Sequence, residues 1–382
     1  MKYADKVKKD EERYNKTVAL NNEIESEINN IANEIKGDEE VTENELTPDE
    51  KKAAFKKKSK RILKIVKTNH RVQIFLLVVL IILVIIITLL VSAIKTIRYH
   101  STDEYKLLQK GYTEAEVTNI LTFPESDIEY ILNHDYNASL DDFIQEKYFM
   151  YANVDKYLTY IKAYPNTSIS DVVAYVNTNR DREFYSDTEN TDISLNEEML
   201  VNKYYLLAED YEPSDLESIP LSYALGNYGD VQLSHVALEQ FEALCQAARK
   251  EGHTIVANVG YRTYARQNEL WTDYQEDYGT DYADEVAARP GASEHQTGLA
   301  VNVLDFNDST TAFDKTSAYT WMCSHAHEYG FILRYPNGKS DITGFAFEPG
   351  HFRYVGVEAA TKIYNEGITF EEYYAYYILG KN

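Results

Sequence analysis

Residues 293–302 read Ser-Glu-His-Gln-Thr-Gly-Leu-Ala-Val-Asn, and residues 348–352 read Glu-Pro-Gly-His-Phe. Gly298 permits a turn in the first stretch, after which Ala300, Asn302 and Leu304 alternate onto one side of a strand. Phe352, Tyr354 and Val355 pack the strand that carries the end of the second stretch. Working outward, residues 239–251 form an amphipathic pattern ended by Gly252, a helix. Residues 254–259 read as a strand leading into Gly260-Tyr-Arg-Thr, and residues 344–347 as another strand. Residues 319–329 and 369–379 read as helices, the latter opened by the capping box Thr369-x-x-Glu372. Helices mixed with short strands imply an α+β domain, not a βαβ repeat.

These segments resemble the VanY-type D-alanyl-D-alanine carboxypeptidases, zinc metallopeptidases related to the L,D-carboxypeptidases that trim bacterial cell-wall peptides. Ser293, His295, Gly298 and Ala300 match the family's Ser-x-His-x-x-Gly-x-Ala-x-Asp, and Glu348 and His351 match its Glu-x-x-His. Gly260-Tyr-Arg-Thr, Pro290-Gly-Ala-Ser-Glu-His, Tyr329-Gly-Phe-Ile-Leu-Arg-Tyr-Pro, Thr343-Gly and His351-Phe-Arg-Tyr-Val-Gly also follow the family text. The likeness therefore runs through nearly all of residues 196–380. It implies a small antiparallel sheet with flanking helices. It also implies His295 and His351 as metal ligands, Glu348 as catalytic base, Arg262 as the contact for an anion or carbonyl, and Ser293 as a contact for the substrate's terminal carboxylate. Two positions depart from the pattern. The third ligand position holds Asn302 where the family has Asp, and Gly350 replaces the Trp of Glu-Pro-Trp-His.

A catalytic zinc takes three protein ligands and keeps one position open. His295 and Asn302 lie too far apart in sequence for one helix face to gather both, so a turn and a strand must bring them together. Glu348 can stand beside the attacking water without being a ligand and shuttle its proton. Asn302 offers an uncharged carbonyl oxygen and weakens the hold on Zn2+. Asp305 sits at an odd offset from Asn302, which turns it to the other face of a strand. Gly350 removes an aromatic wall and adds flexibility beside His351 and Glu348. Two functional readings follow. One is a carboxypeptidase that removes the terminal D-amino acid from peptidoglycan stem peptides. The other is a catalytically impaired pseudoenzyme that binds wall peptides or a partner as a transmembrane scaffold. His325 and His327, two apart on a helix, face different directions, and His235 and His253 have no partner at ligand spacing, so all four read as structural.

The chain carries a formal net charge of −24, distributed unevenly. Residues 1–71 hold 17 Lys and Arg against 15 Asp and Glu, while residues 95–382 hold 21 against 47. That acidic part repels phosphates, and no nucleic-acid partner is expected. Between them, residues 74–94 hold only Thr88 and Ser92 as polar side chains, enough to cross a bilayer. Ten Lys or Arg and no acid occupy residues 51–71, so the N-terminus reads as cytoplasmic and residues 95–382 as extracellular, a single-pass type II arrangement. The same basic run attracts anionic membrane lipid.

The expected organisation is a cytoplasmic segment (1–71), a transmembrane helix (72–94), a helical stalk (95–176), a linker (177–196) and the peptidase-like domain (197–382). Within the first segment, Ile24, Ile28, Ile31 and Ile35 follow a coiled-coil spacing, which suggests self-association through residues 1–36, and acidic residues 37–50 read as a flexible linker. Helix starts are expected at Thr113-x-x-Glu116, Ser126-x-x-Glu129, Ser139-x-x-Asp142 and Ser168-x-x-Asp171. Cys245 and Cys323 are too few for a disulfide scaffold. A single bridge between them stays open beside the reading of Cys245 as a buried thiol.

Overall fold

The computed structural model describes residues 2–36, 47–225, 230–308 and 310–381. The chain divides into two units, residues 1–106 and 107–382. In the first unit three helices follow one another: Lys2–Lys36, Pro48–Thr68 and His70–His100. Thr47 and Glu50 form a reciprocal capping box, so residues 48–50 open a helix instead of extending the expected linker. Residues 37–46 of that linker lie outside the described residues. Asn69 adopts an extended conformation between two helices, and its side chain accepts hydrogen bonds from the N–H groups of Arg71 and Val72. Arg71 is held by Glu27 at 2.9 Å.

His70–His100 spans 31 residues with a mean hydropathy of 3.8 in its most apolar window, and none of that window is buried. At 1.5 Å per residue it is long enough, and apolar enough, to cross a membrane. Ile24 and Ile28 line a groove with Ile62, Ile65 and Phe75, so this part of the isoleucine stripe faces the chain's own helices. The side chains of Ile31 and Ile35 lie outside the described residues.

The second unit begins with short helices, Glu114–Ile120, Glu125–Asn133, Leu140–Gln145, Val154–Ala163 and Ile169–Asn177. Thr113 and Glu116 form the expected capping box, and Ser168 accepts from the N–H of Asp171. Two expected starts differ. Ser126 lies inside a helix whose N-cap is Pro124, because proline's fixed φ already pre-sets the entry. Ser139 stands at an N-cap but makes no capping hydrogen bond. These helices bury two small cores, one around Leu107, Ile120 and Ile131, the other around Phe143, Tyr157 and Val172. Tyr148 stacks on Tyr376 with ring centroids 3.8 Å apart, and both Tyr148 and Tyr377 donate their hydroxyls to Glu366. The helical segment is thus packed on the C-terminal end of the chain.

The sheet that positions the site has four strands in the order Ile255–Val259, Ala300–Asp305, His351–Tyr354, Phe331–Leu333, and every pair is antiparallel. With flanking helices it makes the α+β architecture implied by the pattern. Alternation along the strands gives the sheet two different faces. Val301, Val303, Phe352 and Tyr354 project into the main core with Phe241, Leu244 and Trp321. Full burial of such side chains contributes roughly 1.5–3 kcal/mol each. Ala300, Asn302, His351 and Arg353 occupy the other face. Residues 344–347 form no strand; they follow a four-residue helix, Ser340–Thr343, ended by Gly344 at a φ of 79°. The fourth strand comes instead from Phe331–Leu333, whose backbone pairs with the histidine strand. Residues 319–329 divide into the helix Ser317–His325 and a 3-10 turn, Ala326–Tyr329. Residues 369–379 open with the expected Thr369–Glu372 box but pass from α into π geometry at Tyr374. Both cysteines are free thiols, with Cys245 buried.

Candidate active site

Each predicted site residue arrives by a local device. The strand Ile255–Val259 ends at Gly260, whose carbonyl accepts from His295 Nδ1 at 2.8 Å. Arg262 follows, and its own backbone N–H donates to the His295 carbonyl at 3.0 Å. Thr263 then caps the helix Tyr264–Tyr278. Ser293 opens a 3-10 turn, Glu294–Thr297, which Gly298 ends in the left-handed region at a φ of 68°. That reversal feeds the chain into the strand carrying Asn302. Asn302 is the direct antiparallel partner of His351, so both side chains share one face of the sheet.

A cavity of about 320 Å³ is lined by Arg262, Ser293, His295, Asn302, Glu348 and His351 together, along with Gln267, Tyr274, Glu294, Tyr335, Phe345 and Phe347. All six residues singled out by the sequence therefore converge. The rings of His295 and His351 lie 4.9 Å apart at 70°. Asp305 does not join them: it pairs with Ile255 at the strand end and accepts from the Asn307 N–H at 2.9 Å. His325 stacks on Trp321 and His327 on Tyr364, as structural histidines do.

Gly350 departs from its expected role. Its carbonyl accepts from the Val303 N–H at 2.9 Å, and a Cβ at this position would lie 2.8 Å from the Val303 carbonyl oxygen. Close backbone approach, not flexibility, is what glycine provides here. Gly350→Ala is expected to push the histidine strand off its neighbour and lower the unfolding free energy by about 1–3 kcal/mol, read from urea midpoints.

The electrostatics set the protonation of the site. Burial, with Arg262 and His351 adding to it, holds His295 far below the ordinary imidazole range, so its ring is neutral. Its Nδ1–H is committed to Gly260, which leaves the Nε2 lone pair available. Burial opposes charge on His351 too, but Glu294 and Glu348 outweigh it and raise its pKa. His351 Nδ1 lies 3.4 Å from Glu348 and its Nε2 lies 3.5 Å from Glu294. The Arg262 guanidinium donates to Gln267 at 2.8 Å, and Gln267 is anchored on the Ala288 carbonyl.

Several participants carried no role in the sequence reading. Glu294 sits inside the quoted motif yet is fully buried, between Arg334 at 2.7 Å and Arg353 at 3.3 Å. Burial alone would raise its carboxyl; the two arginines outweigh that and hold it down to about 2. Glu371 grips the other side of Arg334 with two hydrogen bonds. Tyr335 packs 4.9 Å from the His351 ring. For Arg353 a signal existed: it stands two residues after His351 on one strand, hence on the same face. Glu371 carried no such signal: the capping box beside it uses Glu372.

Among the described residues, no group of three His, Cys, Asp or Glu side chains stands at metal-holding distance. What the cavity offers is two imidazoles and an amide oxygen. Asn302 Oδ1 and His351 Nε2 are both buried without a hydrogen-bond partner, as is Glu294 Oε2. A buried acceptor without a donor costs about 1–3 kcal/mol, so Asn302 Oδ1 fits a site built around an absent electrophile. The donors suit a divalent cation held by nitrogen and oxygen, with one charge fewer than a carboxylate would bring.

Residues 230–357 match the family model described as VanY, D-alanyl-D-alanine carboxypeptidase. The carboxypeptidase-like protein YodJ of Bacillus subtilis (strain 168) is 40% identical over 181 residues, which is 46% of this chain and 66% of that protein. The bifunctional D-Ala-D-Ala dipeptidase and D-Ala-D-Ala carboxypeptidase VanXYC of Enterococcus gallinarum is 36% identical over 187 residues, 48% of this chain and 95% of that protein. A solved structure of the vancomycin-resistance D,D-pentapeptidase VanY, a mutant form in complex with Zn(II), is 33% identical, covers 46% of this chain and 98% of its own, and superposes with a TM-score of 0.41.

Proposed function

The chain belongs to the VanY D-alanyl-D-alanine carboxypeptidase family, and on that premise we propose that it hydrolyses the terminal D-amino acid from peptidoglycan stem peptides. The observation that carries this reading is the convergence of Arg262, Ser293, His295, Asn302, Glu348 and His351 in one cavity. His295, His351 and Asn302 would hold Zn2+. Bound there, the ion supplies Lewis-acid polarisation of the scissile carbonyl and acidifies the attacking water. Glu348, half-buried beside His351 Nδ1, takes the proton from that water and returns it to the leaving amine. Arg262, held in place by Gln267, pairs with the terminal carboxylate, and Ser293 at the cavity wall helps to orient it. Tyr335, Phe345 and Phe347 exclude water from the peptide bond.

In the same proposal, residues 1–71 are cytoplasmic, residues 72–94 cross the membrane and residues 197–382 are the extracellular catalytic domain. The helical segment 95–176 and the linker 177–196 join them. The apolar helix and the basic residues 51–71 support this topology.

The test is zinc content together with a mass-spectrometric assay of the purified chain on pentapeptide and tetrapeptide substrates. Stoichiometric zinc and release of a terminal D-amino acid are expected. Absence of both in excess zinc would overturn the reading and leave a peptide-binding protein without chemistry. Asn302→Asp restores a charged oxygen and is expected to tighten zinc binding by about 10–100-fold, measured by chelator competition. An unchanged affinity would place Asn302 outside the metal's reach.

A further inference from the structure

Glu294 orients His351, but a buried carboxylate needs its own anchor. That anchor is a relay of four buried charged side chains contributed by distant segments. Glu294 Oε1 receives Arg334 Nε at 2.7 Å and faces Arg353 at 3.3 Å. Arg334 is fully buried, and its two terminal nitrogens reach both oxygens of Glu371, at 2.9 Å and 2.5 Å. Glu371 is further held by Asn202 Nδ2 at 3.3 Å. Arg353 has committed Nε to the Tyr354 carbonyl and Nη2 to the carbonyls of Glu197 and Met199, so it cannot swing to take over the role of Arg334. A guanidinium gripped on both sides is fixed in its plane, and that plane fixes Glu294.

Glu294 Oε2 and His351 Nε2 are two buried, otherwise unpartnered atoms facing each other at 3.5 Å. A carboxylate opposite Nε2 holds the ring by that edge and leaves Nδ1 directed toward Glu348, 3.4 Å away. We propose that Glu371 is a positioning residue for the active site: through Arg334 and Glu294 it sets the ring orientation of His351. The inference rests on the metallopeptidase reading of the site. It assigns a role to the C-terminal segment, which does not line the cavity. The same segment is where Tyr148 stacks on Tyr376.

The experiment compares the full chain in detergent micelles with its Glu371→Gln variant, which keeps shape and removes charge. Selective ¹⁵N-histidine labelling reads the environment of the His351 ring without metal, chelator competition reads zinc affinity, and urea midpoints read stability. We expect one ordered set of His351 ring signals in the parent, shifted or doubled signals in the variant, and a 10–100-fold loss of zinc affinity. Glu371→Asp, with the charge on a shorter arm, is expected to recover part of both and serves as the comparison where Glu371→Gln does not fold. A lower urea midpoint with an unchanged His351 spectrum and unchanged zinc affinity would assign Glu371 a purely structural role and overturn the proposal. A parent that shows the ordered His351 ring but binds no zinc would sink the hydrolase reading instead, and the histidine spectrum would still decide the role of Glu371.

Discussion

Glu348→Gln is expected to lower kcat by about 10²–10⁴-fold, the range contributed by a positioned general acid–base. Zinc content and urea midpoint should stay at parental values. The carboxylate is partly exposed and meets the buried charges only through His351, and the amide keeps its shape beside that ring. Because the proton shuttle acts in the transition state, kcat and kcat/KM should fall together while KM changes little. Steady-state kinetics on a pentapeptide would decide the matter. A variant with near-parental turnover would remove Glu348 from the chemistry and leave the cavity without a base.

Arg334→Met should produce the largest loss of stability. The guanidinium is fully buried between Glu294 and Glu371, and methionine leaves both carboxylates without their shared cation. Removing one partner from a buried ion network costs about 3–5 kcal/mol, because the remaining charges stay desolvated and uncompensated. Urea unfolding of the chain in micelles would read the loss. A change below about 1 kcal/mol would mean that Arg353 alone can neutralise Glu294.

Much of the site was legible because its residues lie in two short segments with distinctive local signals. Gly298 marks the reversal after His295, and the alternation after it places Asn302 on one face. Glu348 and His351 are close enough in sequence to be read as a pair. The odd offset of Asp305 correctly turns it away. Other readings failed where a local pattern has more than one solution. Residues 344–347 are apolar enough for a strand, yet the fourth strand is Phe331–Leu333, because pairing with the histidine strand is decided by backbone partners across the sheet. Gly350 invites a reading as flexibility, and only the distance to the Val303 carbonyl shows that it is a point of contact. Ser126 has the spacing of a helix cap, but Pro124 starts that helix earlier.

By itself the amino-acid sequence determined the family, the α+β class, the apolar span, the capping boxes at Thr113 and Thr369 and the six cavity residues. All of these rest on patterns within a few residues or on a segment-by-segment resemblance. Tertiary structure alone decided that Asn302 lies opposite His351, that its amide oxygen is buried without a partner, and that buried Glu294 faces the histidine. The relay through Arg334 joins residues 40 and 37 positions apart in sequence. No local propensity encodes such a contact. A charged side chain reads as surface until the fold buries it, and only then must its partners be found.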